Sequence, residues 1–475
     1  MAASASEPTH DVIVIGGGPV GENAAQYAIQ GSDRTAALVE AELVGGECSY
    51  WACMPSKALL VPAAVRSLAQ HMPGLGEQAP LDVDAVLARR DAFTSGWDDA
   101  GQVAWAEGVG IEVVRGRARL AGERTVVVGD RTLVARHAVV LATGSVPAEP
   151  PIDGLADALP WGSRDATAMH EVPGSILVVG GGVVACEAAT WLAALGAHVT
   201  LAARGGLLAR LEPEAAAAVE QGLRDAGVDV RLHADVQRVR REAPAATGTG
   251  HVHGGAVTTT IDGVDVTTDE ILVATGRRPA TGDLGLETVG LDAVAVDGRQ
   301  RVAGVDGWLY AAGDVAGRWQ LTHMGKHEAR IAGEVIGRIA DGGHAHDVVG
   351  VDEDPLTQVV FTDPEVAAVG ITQAEAEDAG IRVERVAIDL AVAGTSLARD
   401  DAGGTVIAIV DADRDVLVGV TLVGHGVAEL LHAATVAVAA RVPIPRLWHA
   451  VPAYPTASEI WLRVVEDLRR QRRAD

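Results

Sequence analysis

Residues 11–21 read DVIVIGGGPVG and residues 175–182 read SILVVGGG, and an alanine-rich stretch follows each. A short apolar run of this kind reads as a buried parallel strand. A glycine turn and a helix directly after it complete the strand–turn–helix unit that cradles a dinucleotide pyrophosphate. In the first unit Gly16 permits the tight turn, Gly18 lets the backbone approach a phosphate, and Gly21 lets helix and strand pack closely. The helix N-terminus then favours the phosphate charge. A second strand over residues 35–39 ends on Glu40, placed to accept from ribose hydroxyls. Two such units predict two dinucleotides and an α/β chain with two Rossmann-like domains.

The second unit carries Gly180, Gly182 and Val183 at its turn, and its second strand ends on Ala203. A carboxylate at that place would receive the 2′-hydroxyl of NAD. Its absence, with Arg204 next and Arg210 six residues further, predicts a 2′-phosphate instead, because a guanidinium fork donates to phosphate bidentately. NADPH is therefore expected, with NADH still possible.

Between the two units lies GGECSYWACMPSKALL, residues 45–60, holding Cys48 and Cys53 of the chain's three cysteines. On a regular helix that spacing is too long for a disulfide, which needs Cα atoms roughly 4.4–6.8 Å apart. A bridge here needs a distorted turn, for which Gly45, Gly46 and Pro55 supply the backbone means. Lys57 follows; it and Lys326 are the only lysines in a chain whose other basic residues are arginine. A site that keeps lysine in such a chain calls for a compact point charge.

These motifs, in this order over residues 10–465, resemble the pyridine nucleotide-disulfide oxidoreductases, the family of lipoamide dehydrogenase, glutathione reductase and mercuric reductase. The resemblance implies FAD in the first unit, a nicotinamide nucleotide in the second and a redox-active Cys48–Cys53 disulfide, Cys48 exchanging with substrate and Cys53 facing the flavin. It places Lys57 at the reactive edge of the flavin, paired with Glu187. Gly46 and Ala118, in the turn at the adenine, join the FAD set. So do Thr143 and Gly144 of Ala-Thr-Gly, Gly313 and Asp314 of the second FAD motif, and Thr322 at a helix start aimed at the flavin. Arg204 and Arg210 match the phosphate-binding arginines of glutathione reductase, and Gly276 marks the exit from the nicotinamide domain. Val183 stands where the family often has a tyrosine gate over the flavin. The implied division is an FAD domain over 1–150 and 277–350, an NAD(P)H domain over 151–276, and a C-terminal α+β dimerisation domain over 351–475, hence a homodimer.

The family's interface dyad usually reads His-Pro-Thr-x-x-Glu; here it is Tyr454-Pro455-Thr456-Ala457-Ser458-Glu459. Histidine titrates near 6.5 and tyrosine near 10, so tyrosine is the poorer base at neutral pH by roughly 5 kcal/mol. Dithiol exchange needs a proton acceptor. The expectation is an FAD enzyme passing electrons from NADPH to a small acceptor, quinone-like or a small disulfide. The alternatives are a soluble transhydrogenase, a lipoamide dehydrogenase-like reductase and a non-enzymatic redox sensor. Mercury reduction is not expected, because the tail RRQRRAD lacks the cysteine pair that mercuric reductase carries there. His449 is a weak replacement base.

A net charge of −26 argues against nucleic-acid or acidic-membrane partners. No apolar run reaches spanning length and the N-terminus lacks a signal pattern, so the expected place is the cytoplasm. No metal site is expected: the close pairs His251/His253 and His344/His346 read as solvated loop residues. Cys186 reads as a packing residue and the arginines of 463–473 as complements to a final helix dipole.

Overall fold

Valine and isoleucine crowd residues 12–15, and their stiff β-branched side chains suit a pleated surface buried on both faces. The strand His10–Ile15 that results is the centre of a parallel sheet. Ile111–Arg115 and Ala36–Glu40 lie to one side of it, and Arg131–Leu141 and Leu309–Ala311 to the other. The computed structural model describes residues 9–351 and 355–474. They form two compact units, the first drawn from residues 9–55, 91–148 and 277–351, the second from 56–90, 149–276 and 355–474.

In the first unit the pleat sorts side chains by parity. Val12 and Val14 face a layer containing Ala24, Ala25, Ala28, Ala329 and Ala332, contributed by helices Pro19–Ile29 and Thr322–Ala340. Ile13 and Ile15 face the other way, onto Val126, Val128 and Trp308. On that side Thr125–Val128 and Ala118–Leu120 continue from Arg131–Leu141 as an antiparallel meander. The two helices meet almost backbone to backbone. A Cβ on Gly325 would stand 2.8 Å from Val20 Cγ2 and 3.0 Å from Gly313 Cα, and one on Gly333 would stand 2.6 Å from Tyr27 Cβ.

The second unit holds a second parallel sheet, in the order Asp229–Leu232, His198–Ala203, Ser175–Val179, Glu270–Val273. A three-stranded antiparallel sheet, Val236–Arg241, Val257–Ile261 and Val264–Thr268, accompanies it. Trp161 and Trp191 are buried in its core, and Arg241 and Glu270 form a fully buried ion pair. The same unit carries a five-stranded antiparallel sheet, Thr357–Val360, Glu365–Gly370, Val416–Gly424, Thr405–Asp411 and Val383–Asp389. Helices Leu431–Ala439 and Glu459–Ala474 share a core with that sheet. The expected α/β architecture with two Rossmann-like sheets and an α+β C-terminal part is what the chain adopts.

Three expectations need correction. His253 is buried, not solvated: its ring meets Thr247 Oγ1 at 2.8 Å and its amide donates to Glu270, whose buried carboxylate needs the partner. Of the tail arginines Arg472 and Arg473 stand in the last turn of the final helix as expected, Arg472 also meeting Glu384 and Asp415, but Arg463 lies near the helix start and pairs with Glu459 and Glu466 instead. Pro55 does not make the turn between the cysteines; it lies inside the first turn of the helix Cys53–Gln70, where a missing N–H costs nothing.

Candidate active site

The helix starting at Gly46 stops after Tyr50, because Trp51 adopts φ −138° and ψ 0°, and a new helix opens at Cys53. That break brings the two sulfurs together. No disulfide joins them in this structure; both are thiols, and Cys48 is hydrogen-bonded to Cys53. This hydrogen bond is the main reason Cys48 is pushed above the usual thiol range, with burial second. Thr322 Oγ1 lies 3.3 Å from Cys53 Sγ and also hydrogen-bonds Cys48, so the start of the helix Thr322–Ala340 closes over the pair.

The surrounding FAD set is a glycine cradle. A Cβ on Gly16 would stand 2.3 Å from the Ala142 carbonyl oxygen, and one on Gly21 would stand 1.9 Å from that of Gly16. Gly46 has φ +54°, and a Cβ there would sit 2.8 Å from Gly18 Cα. By contrast a Cβ on Gly18 would meet nothing closer than 3.9 Å, and no side chain caps the helix start at Pro19. Backbone amides thus face an open position, the arrangement a pyrophosphate requires. Glu40 is pinned at the edge, its Oε2 accepting from the Gly17 amide at 2.6 Å and its Oε1 from the Glu42 amide at 2.7 Å. Ala118 is buried at a strand start, Thr143 Oγ1 donates to the Ala280 carbonyl at 2.8 Å, and Gly144 has φ +73°. These residues fit FAD.

Three further residues support this set. Glu328 Oε2 accepts from the Gly313 amide at 2.7 Å, and burial lifts that carboxyl to about 7 while the amide pulls it down. Ser145 donates to Asp314, whose carboxyl burial pushes up, and Arg277 Nε donates to Ser145 Oγ at 2.7 Å. Only a structure pairs them, since Ser145 and Asp314 lie far apart in the chain.

In the second unit Lys57 Nζ meets Glu187 Oε2 at 2.7 Å. Glu187 Oε1 accepts from the Phe361 amide at 3.0 Å, and the Lys57 ammonium lies 4.7 Å from the Phe361 ring centre. Gly180, at φ +141°, turns the chain against the Ala274 carbonyl, and a Cβ on Gly182 would meet nothing within 4 Å. Val183 then opens its helix and Gly276, at φ +119°, ends the unit's sheet region. Ala203 is buried; Arg204 and Arg210 are exposed and make no hydrogen bond or ion pair among the described residues.

Tyr454 and Glu459 are not brought together by a hydrogen bond. Tyr454 is 77% exposed, whereas Glu459 is buried, with Oε1 accepting from Arg463 at 2.5 Å and Oε2 lacking a hydrogen-bond partner among the described residues.

Residues 10–329 match the sequence profile of the pyridine nucleotide-disulphide oxidoreductases, and residues 356–465 that of the family's dimerisation domain. The chain belongs to this family. Oxidoreductases of this class use FAD and NAD(P)H, and this chain is an FAD-dependent member. It is 32% identical over 462 residues to a mercuric reductase of Streptomyces lividans, covering 93% of each chain. It is 30% identical over 477 residues to a dihydrolipoyl dehydrogenase of Haloferax volcanii, covering 96% of each. In structure it resembles LpdA of Mycobacterium tuberculosis, with a TM-score of 0.81 at 25% identity, covering 96% of this chain and 99% of that one. The flavoprotein disulfide reductase RclA of Escherichia coli, in its Cu(II) complex, shares the fold at TM-score 0.81 and 24% identity, with 97% and 99% covered. No helix among the described residues is long and apolar enough to cross a membrane.

Proposed function

We propose that this oxidoreductase takes electrons from NADPH and delivers them to a small acceptor, quinone-like in the first instance and served at the flavin itself, with Cys48 and Cys53 as the redox pair that would serve a small disulfide. When bound, FAD would supply the two-electron relay from the nicotinamide to a quinone or to the thiols. The chain's own residues do the rest. Arg204 and Arg210 hold the 2′-phosphate; Glu187 fixes the Lys57 ammonium as a point charge; Thr322 orients both sulfurs; Cys48 keeps its proton through its hydrogen bond with Cys53. The reaction draws on NADPH, so we assign it to the cytoplasm, carried out by a homodimer built through residues 356–465.

The observation that carries the acceptor class is Tyr454. It stands where the family's usual wording has histidine, it is largely exposed, and it makes no hydrogen bond to Glu459. A dyad without its base is a poor acid–base partner for thiol exchange. A small disulfide is the second reading, favoured by the retained, mutually hydrogen-bonded Cys48 and Cys53.

The test is a panel of quinones, lipoamide, glutathione disulfide, mercuric ion and a second nicotinamide nucleotide, assayed with NADPH and NADH. Quinone turnover far above disulfide turnover is the expected result. Disulfide turnover at rates equal to quinone would replace the first reading by the second. Hydride exchange between nucleotides alone would make the enzyme a transhydrogenase, and no turnover at all would leave a redox sensor.

A further inference from the structure

Aromatic residues are scarce, 3% of the chain, and only two of them are phenylalanine, so an aromatic ring beside a functional pair calls for a reason. Phe361 directly follows the strand Thr357–Val360, whose last residue pairs with Val366 and is buried in the second unit's core. Phe361 packs against that same core, and Thr362 after it is buried, its Oγ1 donating to the Pro364 carbonyl at 2.7 Å. The ring therefore stands on a fixed stretch of backbone. The Lys57 ammonium lies over it, 4.7 Å from its centre, inside the roughly 6 Å within which a ring face attracts a cation. The Phe361 amide meanwhile donates to Glu187 Oε1 at 3.0 Å, and Glu187 Oε2 takes the ammonium at 2.7 Å. One residue thus holds both members of the pair, the carboxylate by its backbone and the cation by its ring. An aliphatic residue would supply the same amide and pack on the same aliphatic core, so neither of those duties accounts for the ring. Lys57 is a third exposed, and an ion pair that open does not by itself keep a flexible four-carbon stem in one rotamer. Among the described residues the ammonium makes one hydrogen bond, to Glu187, and one ring contact, to Phe361.

We propose that Phe361 is a positioning residue for the electron transfer: its ring holds the Lys57 ammonium against Glu187, so that the charge stays in one place instead of swinging into solvent with its stem. This rests on the reading of Lys57 as the point charge beside the flavin. The choice of a ring follows from charge. Lys57 and Glu187 already balance, and a second carboxylate under the ammonium would restrain it too but would leave the site net negative. A ring face attracts the cation through its quadrupole and adds no charge. A held ammonium favours the reduced flavin, which carries the greater negative charge, and eases the approach to it. Loss of the ring leaves the amide on Glu187 in place, so only the lysine end of the pair loosens.

The experiment uses the FAD-loaded enzyme and reads two quantities: the flavin potential, by anaerobic spectroelectrochemical titration, and the stopped-flow rate of flavin reduction by NADPH. Three changes are made at this position, Phe361→Leu, Phe361→Tyr and a ring-trifluorinated phenylalanine, which keeps shape and packing but removes the negative charge from the ring face. Phe361→Leu and the fluorinated ring are expected to slow flavin reduction about three- to tenfold, the worth of one such contact, with the KM for NADPH within a factor of about two. The same factor moves a two-electron potential negative by about 15–30 mV. Phe361→Tyr keeps a ring face and should stay near wild type. In a Lys57→Met background the fluorinated ring should have no further effect, because it acts through the lysine. A fluorinated enzyme with wild-type potential and rate overturns the proposal whatever Phe361→Leu does, since packing alone would then explain the leucine variant. An equal fluorination effect with and without Lys57 overturns it as well. If Lys57→Met itself leaves potential and rate unmoved, the reading of Lys57 as the flavin-side charge falls first and takes the proposal with it. Should Phe361→Leu fail to fold or Lys57→Met lose its FAD, the fluorinated ring in the otherwise native chain decides alone.

Discussion

Lys57 Nζ lies 2.7 Å from Glu187 Oε2, and the other oxygen of that carboxylate is held by the Phe361 amide. Glu187 is almost fully buried while Lys57 is a third exposed, so the carboxylate depends on the lysine more than the reverse. Lys57→Met should strand a buried charge at a cost of about 3–5 kcal/mol and slow flavin reduction on the order of 10²-fold. Glu187→Gln should keep the Phe361 contact and cost less on both counts. Stopped-flow reduction and thermal denaturation measure the two effects; a Lys57→Met enzyme with wild-type reduction kinetics would remove Lys57 from the electron path.

Replacing Arg204 and Arg210 together by alanine should raise the KM for NADPH by about 10²-fold, in line with two lost charge-assisted hydrogen-bond sets, and leave that for NADH within a factor of two or so. Neither side chain makes an ion pair or hydrogen bond among the described residues, so folding should be unaffected. Equal losses with both nucleotides would assign the arginines to structure.

Tyr454→His restores a group that titrates near 6.5. If a small disulfide is the acceptor, its turnover should rise by about 10²–10⁴-fold, the range of general acid–base catalysis. With a quinone as acceptor the substitution should change little, and Cys48→Ser should leave most quinone activity in place. Steady-state rates with both acceptor classes distinguish the two.

Glu328 gives a stability signature. Burial raises its carboxyl from the usual 4.5 to about 7, so between those values the folded protein holds a proton that the unfolded chain has released. Its contribution is fully present below about 4.5 and is lost as the pH rises to and through 7. Glu328→Gln keeps an acceptor for the Gly313 amide without the charge. The variant should gain on wild type by up to about 3 kcal/mol between pH 5 and pH 8. Denaturant titrations across that range would read it; a constant difference would show that Glu328 does not titrate there.

The two nucleotide units were legible because each packs strand, turn and helix into one short window, where hydrophobic period and glycine placement speak together. The Lys57–Glu187 pair was legible only through resemblance, since nothing local links the two positions. The strand Val383–Asp389 escaped notice because its charged residues at 384, 385 and 389 dilute the apolar alternation, and it declares itself only by pairing with Thr405–Asp411. Ser145 and Glu328 carry no sequence signal for a different reason, and Arg277, although it lies in the Thr275–Pro279 motif, shows no such role there: all three act on Asp314 and Gly313 by contacts of the folded chain. His253 misled because a glycine-rich neighbourhood suggests solvent, while Glu270 holds that loop inward.

Helices Pro19–Ile29 and Thr322–Ala340 touch through glycine, and a glycine has no side chain with which to adapt. Variation at 325 or 333 is therefore closed to drift, whereas 22 and 326 flank the contact and can exchange side chains over an unmoved backbone. Relatives that keep both glycines would share this helix crossing whatever they carry at the two flanking positions, which makes the flanking pair a natural place to begin redesign by directed evolution.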